Sequence, residues 1–253
     1  MGEPFIHLAA VQKAYRTRGT DFLAISEATF DVAAGELVSL VGPSGCGKTT
    51  LLKILAGLHP VDSGELTIGS TTQPFDPSRD IGMVFQQPLL LKWRRVIDNV
   101  LLPAEILVFP WPQAAPAPAI CSRSSGSRAR KTNTPTSSPA ACSSARRSRA
   151  LIHDPKLILM DEPFGALDAL TREKMNLELL RIREEAKKTI VFVTHGITEA
   201  VFLGTRVIVL TAGPARMADN FRVELPHPRT LEMKTNEAFG EYTRRIYRLL
   251  GME

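Results

Sequence analysis

A glycine-rich segment of eight residues constrains the fold of this chain more than any other feature. Residues 42–49 read Gly-Pro-Ser-Gly-Cys-Gly-Lys-Thr, and they lie between the β-prone run 37–41 and a stretch with helical spacing. This order is typical of a phosphate-binding loop, because small residues let backbone N–H groups close around an anion at a helix N-terminus. A chance glycine-rich turn is the alternative, but both flanks have the order that the loop requires.

Backbone and side chains of the loop have separate predicted roles. The amides surround the phosphates, and the helix N-terminus adds its partial positive charge. Lys48 reaches the β- and γ-phosphates of a nucleotide, which gives it a catalytic role, and the Thr49 hydroxyl is placed on Mg²⁺. The residues of this segment predicted to bind nucleotide are Gly42, Pro43, Ser44, Gly45, Cys46, Gly47, Lys48, Thr49 and Thr50.

A second motif is an acidic pair that follows an apolar run. Residues 157–160 are Leu-Ile-Leu-Met, and Asp161 and Glu162 come directly after them. A buried parallel strand would place Asp161 at its carboxyl end, where ligands bind in such sheets. Asp161 would hold Mg²⁺ through water, and Glu162 would act as general base on the attacking water. Such a pair alone is usually a solvated strand end, but beside a phosphate-binding loop the functional interpretation is preferred.

Further segments have the length and spacing of regular elements. Strands are predicted at 6–11, 28–32, 37–41, 81–85, 157–160, 189–194 and 206–210, and helices at 48–57, 170–187 and 239–250. Strands that alternate with helices and are wholly apolar predict a mainly parallel sheet covered on both faces. The expected fold class is therefore α/β.

Composition agrees with one α/β domain in a chain of 253 residues, with 44% hydrophobic and 23% charged residues. No uninterrupted apolar run is long enough to span a bilayer, and the N-terminus does not resemble a signal peptide. A cytoplasmic location is therefore expected. The three cysteines, Cys46, Cys121 and Cys142, lack metal-type spacing and are expected to be free thiols.

Together these motifs resemble those of the ABC ATPase family, and the resemblance covers nearly the whole chain except residues 108–148. It implies a single ABC ATPase domain over 1–253, with ATP and Mg²⁺ as cofactors. Residues 1–87 and 151–253 would form the catalytic core, a P-loop α/β fold with an N-terminal antiparallel β layer. Residues 88–150 would form a helical subdomain.

The resemblance also assigns roles to four residues outside the two motifs. Tyr15 matches the aromatic residue that stacks on adenine, although a half-buried strand tyrosine is the alternative. Gln86 matches the glutamine that joins Mg²⁺ and the attacking water to the transmembrane contact region. Asp168 belongs to residues 166–168, which match the loop that meets the partner subunit, and it is expected to contribute to nucleotide binding. His195 matches the histidine that contacts the γ-phosphate; a structural histidine at a strand end is the alternative.

Partners follow from the same resemblance. The family implies a homodimer docked on two transmembrane permease subunits, at the cytoplasmic face of the membrane, and fed by an external solute-binding protein. Residues 89–100 are similar to the nitrate, sulfonate and taurine importer group, although Lys92 stands where that group usually has proline. Gly196 likewise replaces a common aspartate. The resemblance does not separate the solutes of this group.

Residues 108–148 do not fit the rest of the chain. These 41 residues contain nine Ser, eight Ala and six Pro, with six basic residues and no acidic one. Without them the formal charge of +5 becomes −1, because 25 basic residues then face 26 acidic residues. A run of this length without helical or strand periodicity is unusual inside a compact domain.

The family's Leu-Ser-Gly-Gly signature is absent where it belongs, about twenty residues before Asp161. Residues 135–145 stand there, and GC-rich codons for them contain, in another reading frame, codons for His-Glu-Leu-Ser-Gly-Gly-Met-Gln-Gln-Arg. We therefore interpret 108–148 as frame-shifted: one base lost or two gained near codon 108, with the frame restored near residues 146–149. The signature would meet the γ-phosphate held by the opposite subunit, so this chain is expected to be impaired as an ATPase.

Two alternatives remain at this point. Residues 108–148 could be a natural basic linker that binds nucleic acid, but its two aromatic residues, Phe109 and Trp111, both lie at its start, so stacking platforms are lacking. The chain could also be a non-transport ABC ATPase acting on nucleic acid or ribosomes. Such proteins usually carry large insertions or tandem ATPase domains, so no nucleic-acid partner is expected here.

Overall fold

The computed structural model describes residues 3–17, 20–69, 75–86 and 154–252, together with residues 91, 93, 98, 99 and 102. Within these residues nine strands form one sheet: β1 (Ile6–Thr17), β2 (Thr20–Val32), β3 (Leu37–Val41), β4 (Ser63–Ile68), β5 (Ile81–Val84), β6 (Leu157–Asp161), β7 (Thr189–Thr194), β8 (Arg206–Leu210) and β9 (Ala215–Arg222). The helices are α1 (Lys48–Leu55), α2 (Pro77–Asp80), α3 (Ala169–Ala186), α4 (Ile197–Leu203) and α5 (Glu237–Leu249), with a 3-10 helix at Leu231–Thr235.

Five neighbouring strands are parallel, in the order β8-β3-β7-β6-β5. Every residue of β3, β6 and β7 is buried, as expected for strands that pack helices on both faces. One core cluster lies beneath α3, α4 and α5, and the other lies between α1 and the N-terminal strands. The predicted parallel α/β sheet is confirmed, and it gathers the carboxyl ends of β3, β5, β6 and β7 at one edge.

The remaining strands form an antiparallel part, in which β1 pairs with both β4 and β2. This confirms the predicted N-terminal antiparallel layer. Its junction with the parallel strands was not predicted: β9 pairs in parallel with β2 and antiparallel with β8. A strand from the C-terminal third of the chain therefore joins the two parts into one sheet.

β1 and β2 are longer than their apolar segments suggested, because an irregularity interrupts the alternation of side chains. The register of β1 shifts around Ala10 on both of its partners, and Ala10 has a φ of 48°. Opposite it, Gly64 has a φ of 85°, and a Cβ there would lie 2.3 Å from the Ala10 carbonyl oxygen. Only glycine fits this close approach of two backbones.

A buried arginine closes the end of α4. The Nη1 of Arg229 donates to the carbonyl oxygens of Val201, Phe202 and Gly204, at 2.7–2.9 Å. These are groups that the last turn of a helix leaves without intrahelical partners. Burial, with a smaller contribution from Arg183, lowers the pKa of Arg229 to about 10, so the guanidinium remains charged at neutral pH.

Two predictions fall largely outside the described residues: the helical subdomain at 88–150 and the frame-shifted segment at 108–148. Across the ranges that the structure does describe, none of the helices has the length and apolar character needed to cross a membrane.

Candidate active site

The glycine-rich loop joins β3 to α1 as predicted, and its backbone shape depends on Gly47. This residue has a φ of 106°, and a Cβ on it would lie 2.8 Å from the Ala24 carbonyl oxygen. It also occupies the position before α1, so no side chain caps the helix, and the first turn contains no acidic residue. The amides at this helix N-terminus are thus oriented toward an anion without a competing carboxylate in the turn.

The side chain of Lys48 lies within the loop and is buried. Its Nζ donates to the carbonyl oxygens of Gly42 and Pro43, at 2.7 and 2.8 Å, and lies 3.8 Å from Cys46 Sγ. The ammonium therefore stands among the loop's backbone groups, where it adds a full positive charge to the partial charges of the amides. Both favour a bound phosphate.

Thr49 and Asp161 meet across the site. Thr49 Oγ1 donates to Asp161 Oδ1 at 3.2 Å, although the residues are 112 positions apart. Asp161 ends β6 and is almost fully buried, and burial, followed by the charge of Glu162, raises the pKa of its carboxyl group. The Thr49 hydroxyl opposes this shift. A buried carboxylate beside a hydroxyl offers the oxygen ligands that Mg²⁺ takes in nucleotide sites.

Two of the other predicted residues contact the same carboxylate oxygen of Glu162. Its Oε2 accepts a hydrogen bond from Gln86 Nε2 at 3.1 Å and lies 3.1 Å from His195 Nδ1. Gln86 follows β5 and His195 follows β7, so neighbouring parallel strands present the three side chains together. The backbone of Glu162 is left-handed, with a φ of 42°, and its N–H donates to the Val193 carbonyl oxygen at 3.0 Å.

Tyr15 lies on β1 and contacts α1. Its hydroxyl donates to Thr50 Oγ1 at 3.4 Å, and its ring meets the His59 ring edge-on with the centroids 5.8 Å apart. The side chain is partly exposed. The contact with Thr50 places this aromatic ring beside the helix that follows the phosphate-binding loop, which is compatible with the predicted stacking on a base.

Asp168 has a different position from the other predicted residues. It precedes α3, and its Oδ1 accepts a hydrogen bond from the Thr171 N–H at 3.0 Å, which lowers the pKa of the carboxyl group. The side chain is exposed and contacts none of the other predicted site residues. Within one chain Asp168 is therefore a helix cap, and its predicted role toward a partner subunit stays a prediction.

Sequence reasoning missed several polar residues around Glu162 and His195. Arg172, Asn176, Thr194, Glu199 and Lys234 line the same small cavity as that pair. Two of them carried a usable signal: Thr194 ends an apolar strand, and Glu199 is the acidic residue in an otherwise mainly apolar helix. Lys234 gave none, because its place depends on how the 3-10 helix packs.

Comparison with known proteins agrees with this geometry. A family profile described as "ABC transporter" matches residues 25–165. An uncharacterised ABC transporter ATP-binding protein of Methanocaldococcus jannaschii is 37% identical over 243 residues, which cover 95% of this chain and 89% of that protein. Aliphatic sulfonates import ATP-binding protein SsuB 1 of Paracoccus denitrificans is 39% identical over 249 residues, covering 96% and 94% of the two chains.

Solved structures of ABC transporter cassettes are also similar to this chain. A dimeric bacterial ABC transporter cassette matches with a TM-score of 0.74 and 30% identity, over 87% of this chain and all of the other. The same cassette in a dimeric post-hydrolysis state, bound to ADP and phosphate, matches with a TM-score of 0.73 and 29% identity.

Proposed function

Because this chain belongs to the ABC transporter family as an ATP-binding subunit with ATPase chemistry, we propose that it hydrolyses MgATP to power import of a small solute of the sulfonate, nitrate or taurine type. The proposed partners are a second copy of the chain and two transmembrane permease subunits, with an external solute-binding protein delivering the solute. The sulfonate importer relatives support this solute class. The protein would lie at the cytoplasmic face of the membrane, held there by the permeases.

The observation that carries the proposal is the convergence of Gln86 and His195 on Glu162 Oε2, beside the Thr49–Asp161 pair. Thr49 and Asp161 would hold Mg²⁺, which neutralises charge on the phosphates when bound. Lys48 and the loop amides bind the β- and γ-phosphates, and Tyr15 stacks on the adenine. Glu162 accepts a proton from the attacking water, while Gln86 orients that water and His195 contacts the γ-phosphate.

Two substitutions test binding and hydrolysis separately. Lys48→Ala is expected to abolish nucleotide binding or nearly so, measured by calorimetry on the purified chain, which requires no turnover. Glu162→Gln keeps the side-chain volume and removes the base, so ATP is retained and hydrolysis falls by about 100-fold or more. Glu178→Gln is the matched control, because that glutamate pairs with Arg181 on α3, away from the site. In a chain that carries the repaired 108–148 segment and hydrolyses ATP, turnover by Glu162→Gln at the unsubstituted rate would refute the general-base assignment.

A second candidate is a subunit that binds ATP but turns it over poorly. The specific observation is that residues 108–148 lack the signature, which GC-rich codons chosen for residues 135–145 would encode in another frame. Binding to the loop of one subunit does not require the signature, whereas closure of a dimer over two nucleotides does. Resequencing the gene across codons 105–152 decides whether the chain is made in the frame printed here.

A further inference from the structure

A polar cavity of about 190 Å³ lies directly behind the Glu162–His195 pair. Its walls come from the loop after β6, from α3, from the end of β7 with the start of α4, and from the 3-10 helix. The His195 side chain is 57% exposed, and one side of it faces this cavity. Packing against neighbours therefore does not fix the ring, although its Nδ1 lies 3.1 Å from Glu162 Oε2.

Two linked hydrogen bonds hold the backbone on either side of His195. Thr194 Oγ1 donates to Glu199 Oε2 at 2.5 Å, and the same Oγ1 accepts from the Gly196 N–H at 2.9 Å. Thr194 and Gly196 are the residues on either side of His195. One carboxylate is thus connected to the backbone both before and after the histidine.

The link formed by these two hydrogen bonds, from Glu199 through Thr194 to Gly196, requires a hydrogen-bond acceptor on the side chain of residue 199. The Thr194 hydroxyl is already an acceptor for the Gly196 N–H, so its own proton needs an acceptor, which a carboxylate or amide oxygen provides. Thr194 itself is buried at the end of β7. Glu199 lies in the first turn of α4, where the helix dipole also favours a negative charge. That local role does not require Thr194, so the two roles are separable by substitution.

We propose that Glu199 is a positioning residue for His195: through Thr194 Oγ1 it fixes the backbone on both sides of the histidine and so holds the imidazole against Glu162. The importance of that contact for hydrolysis rests on the proposed function, whereas the link itself does not. Gly196 takes part through its backbone N–H, which any residue except proline would provide at this position.

The test uses the nucleotide-free chain, so it does not depend on turnover. Thr194→Val removes both hydrogen bonds at nearly constant volume, and Thr194→Ser keeps the hydroxyl. In Thr194→Val the Gly196 amide is expected to exchange with solvent about fivefold or more faster, the factor expected for loss of one hydrogen bond. The His195 ring signal in the NMR spectrum, assigned among five histidines by a His195→Ala variant, should shift or broaden. Thr194→Ser should restore both.

Thr205→Val is the matched control, because its hydroxyl donates to the Leu37 carbonyl oxygen away from the cavity. It loses one hydrogen bond of similar kind and should leave the His195 signal unchanged. If Thr194→Val does not fold, Glu199→Leu compared with Glu199→Gln tests the other end of the link, since the glutamine retains an acceptor oxygen. An unshifted His195 signal in a folded Thr194→Val or Glu199→Leu chain would overturn the inference. That result would leave the proposed function standing if Glu162→Gln abolishes turnover in a chain with the repaired 108–148 segment that otherwise hydrolyses ATP.

Discussion

Thr49 Oγ1 donates a hydrogen bond to Asp161 Oδ1 across the candidate nucleotide site, at 3.2 Å. The first residue belongs to α1 and the second ends β6, so the contact joins the phosphate-binding loop to the acidic pair. The pair therefore brings a hydroxyl oxygen next to a carboxylate oxygen. The position that this pair defines is the proposed Mg²⁺ site.

Thr49→Val and Asp161→Asn are therefore expected to weaken the metal-dependent part of nucleotide binding. Each change removes one oxygen ligand or its charge while the loop amides and Lys48 remain. The affinity for MgADP should fall by about tenfold or more, whereas the affinity for ADP measured in EDTA should change little. Calorimetry with and without metal measures both, and Thr205→Val is a control for the loss of a threonine hydroxyl. An equal loss in both buffers would place the two residues outside the metal site.

The hydrogen bonds of Arg229 are expected to stabilise the folded chain. Its guanidinium donates to carbonyl oxygens at the end of α4, and a fourth contact reaches the Val223 carbonyl oxygen at 3.3 Å. Arg229→Met should lower the free energy of unfolding by about 2–4 kcal/mol, because buried carbonyls lose their donors. Arg229→Lys should recover part of this, since an ammonium offers fewer donors in a different geometry. Arg248→Met, on α5, is the comparison variant in chemical denaturation; equal midpoints for the two methionine variants would contradict the capping role.

Glu199 predicts a pH dependence of stability. Burial raises the pKa of its carboxyl group above the ordinary glutamate value of 4.5, against opposing contributions from Thr194, Arg172, Asn176 and His195. Because the folded-state pKa is the higher one, the unfolded chain gives up this proton first as pH rises. The stabilising contribution is complete below the unfolded value and is lost as pH rises through the folded value.

Glu199→Gln removes this titration while keeping an acceptor for Thr194. The stability of the variant relative to the unsubstituted chain should therefore increase as pH rises from below 4.5 toward neutrality. Urea denaturation of both proteins at a series of pH values measures the difference. A difference that stays constant with pH, or one that shrinks, would show that the carboxyl group is not held in a destabilising environment.

Short-range sequence patterns predicted much of this fold, and long-range pairing explains the rest. The strands β3, β6, β7 and β8 were evident because each is a short segment of mostly apolar residues. β9 was not, because half of its residues Ala-Arg-Met-Ala-Asp-Asn-Phe-Arg are only half-buried and apolar and polar residues do not alternate. Its neighbours β2 and β8 determine that it is a strand, and the pairing of Ile25 with Ala215 has no local signal.

Part of the candidate site could likewise be predicted from local sequence, and part could not. Motif positions predicted which residues follow which strands, and the structure brings Gln86, Glu162 and His195 together. The Thr194–Glu199 link was not predicted, because α4 is seven residues long and too short for a helical period to be recognised. The roles of Tyr15 and Asp168 depend on a base and on a partner subunit, so the geometry of one chain leaves them as predictions.

The last prediction concerns residues 108–148, which lie outside the described residues. A chain in which this segment is replaced by the translation of the shifted frame regains His-Glu-Leu-Ser-Gly-Gly-Met-Gln-Gln-Arg before β6. Its serine and backbone N–H groups would face the γ-phosphate of the opposite subunit, and loss of one such donor typically costs about 100-fold or more in rate. In the printed frame Pro139 obstructs a helix at this place and the paired glycines are missing.

Steady-state ATPase activity with the permease subunits should therefore be at least about 100-fold higher for the repaired chain, while nucleotide binding by the isolated subunits stays similar. Glu162→Gln in the repaired chain is the control for contaminating hydrolases. Equal turnover by the two chains would show that this protein does not need the signature, and the impaired-subunit interpretation would be wrong.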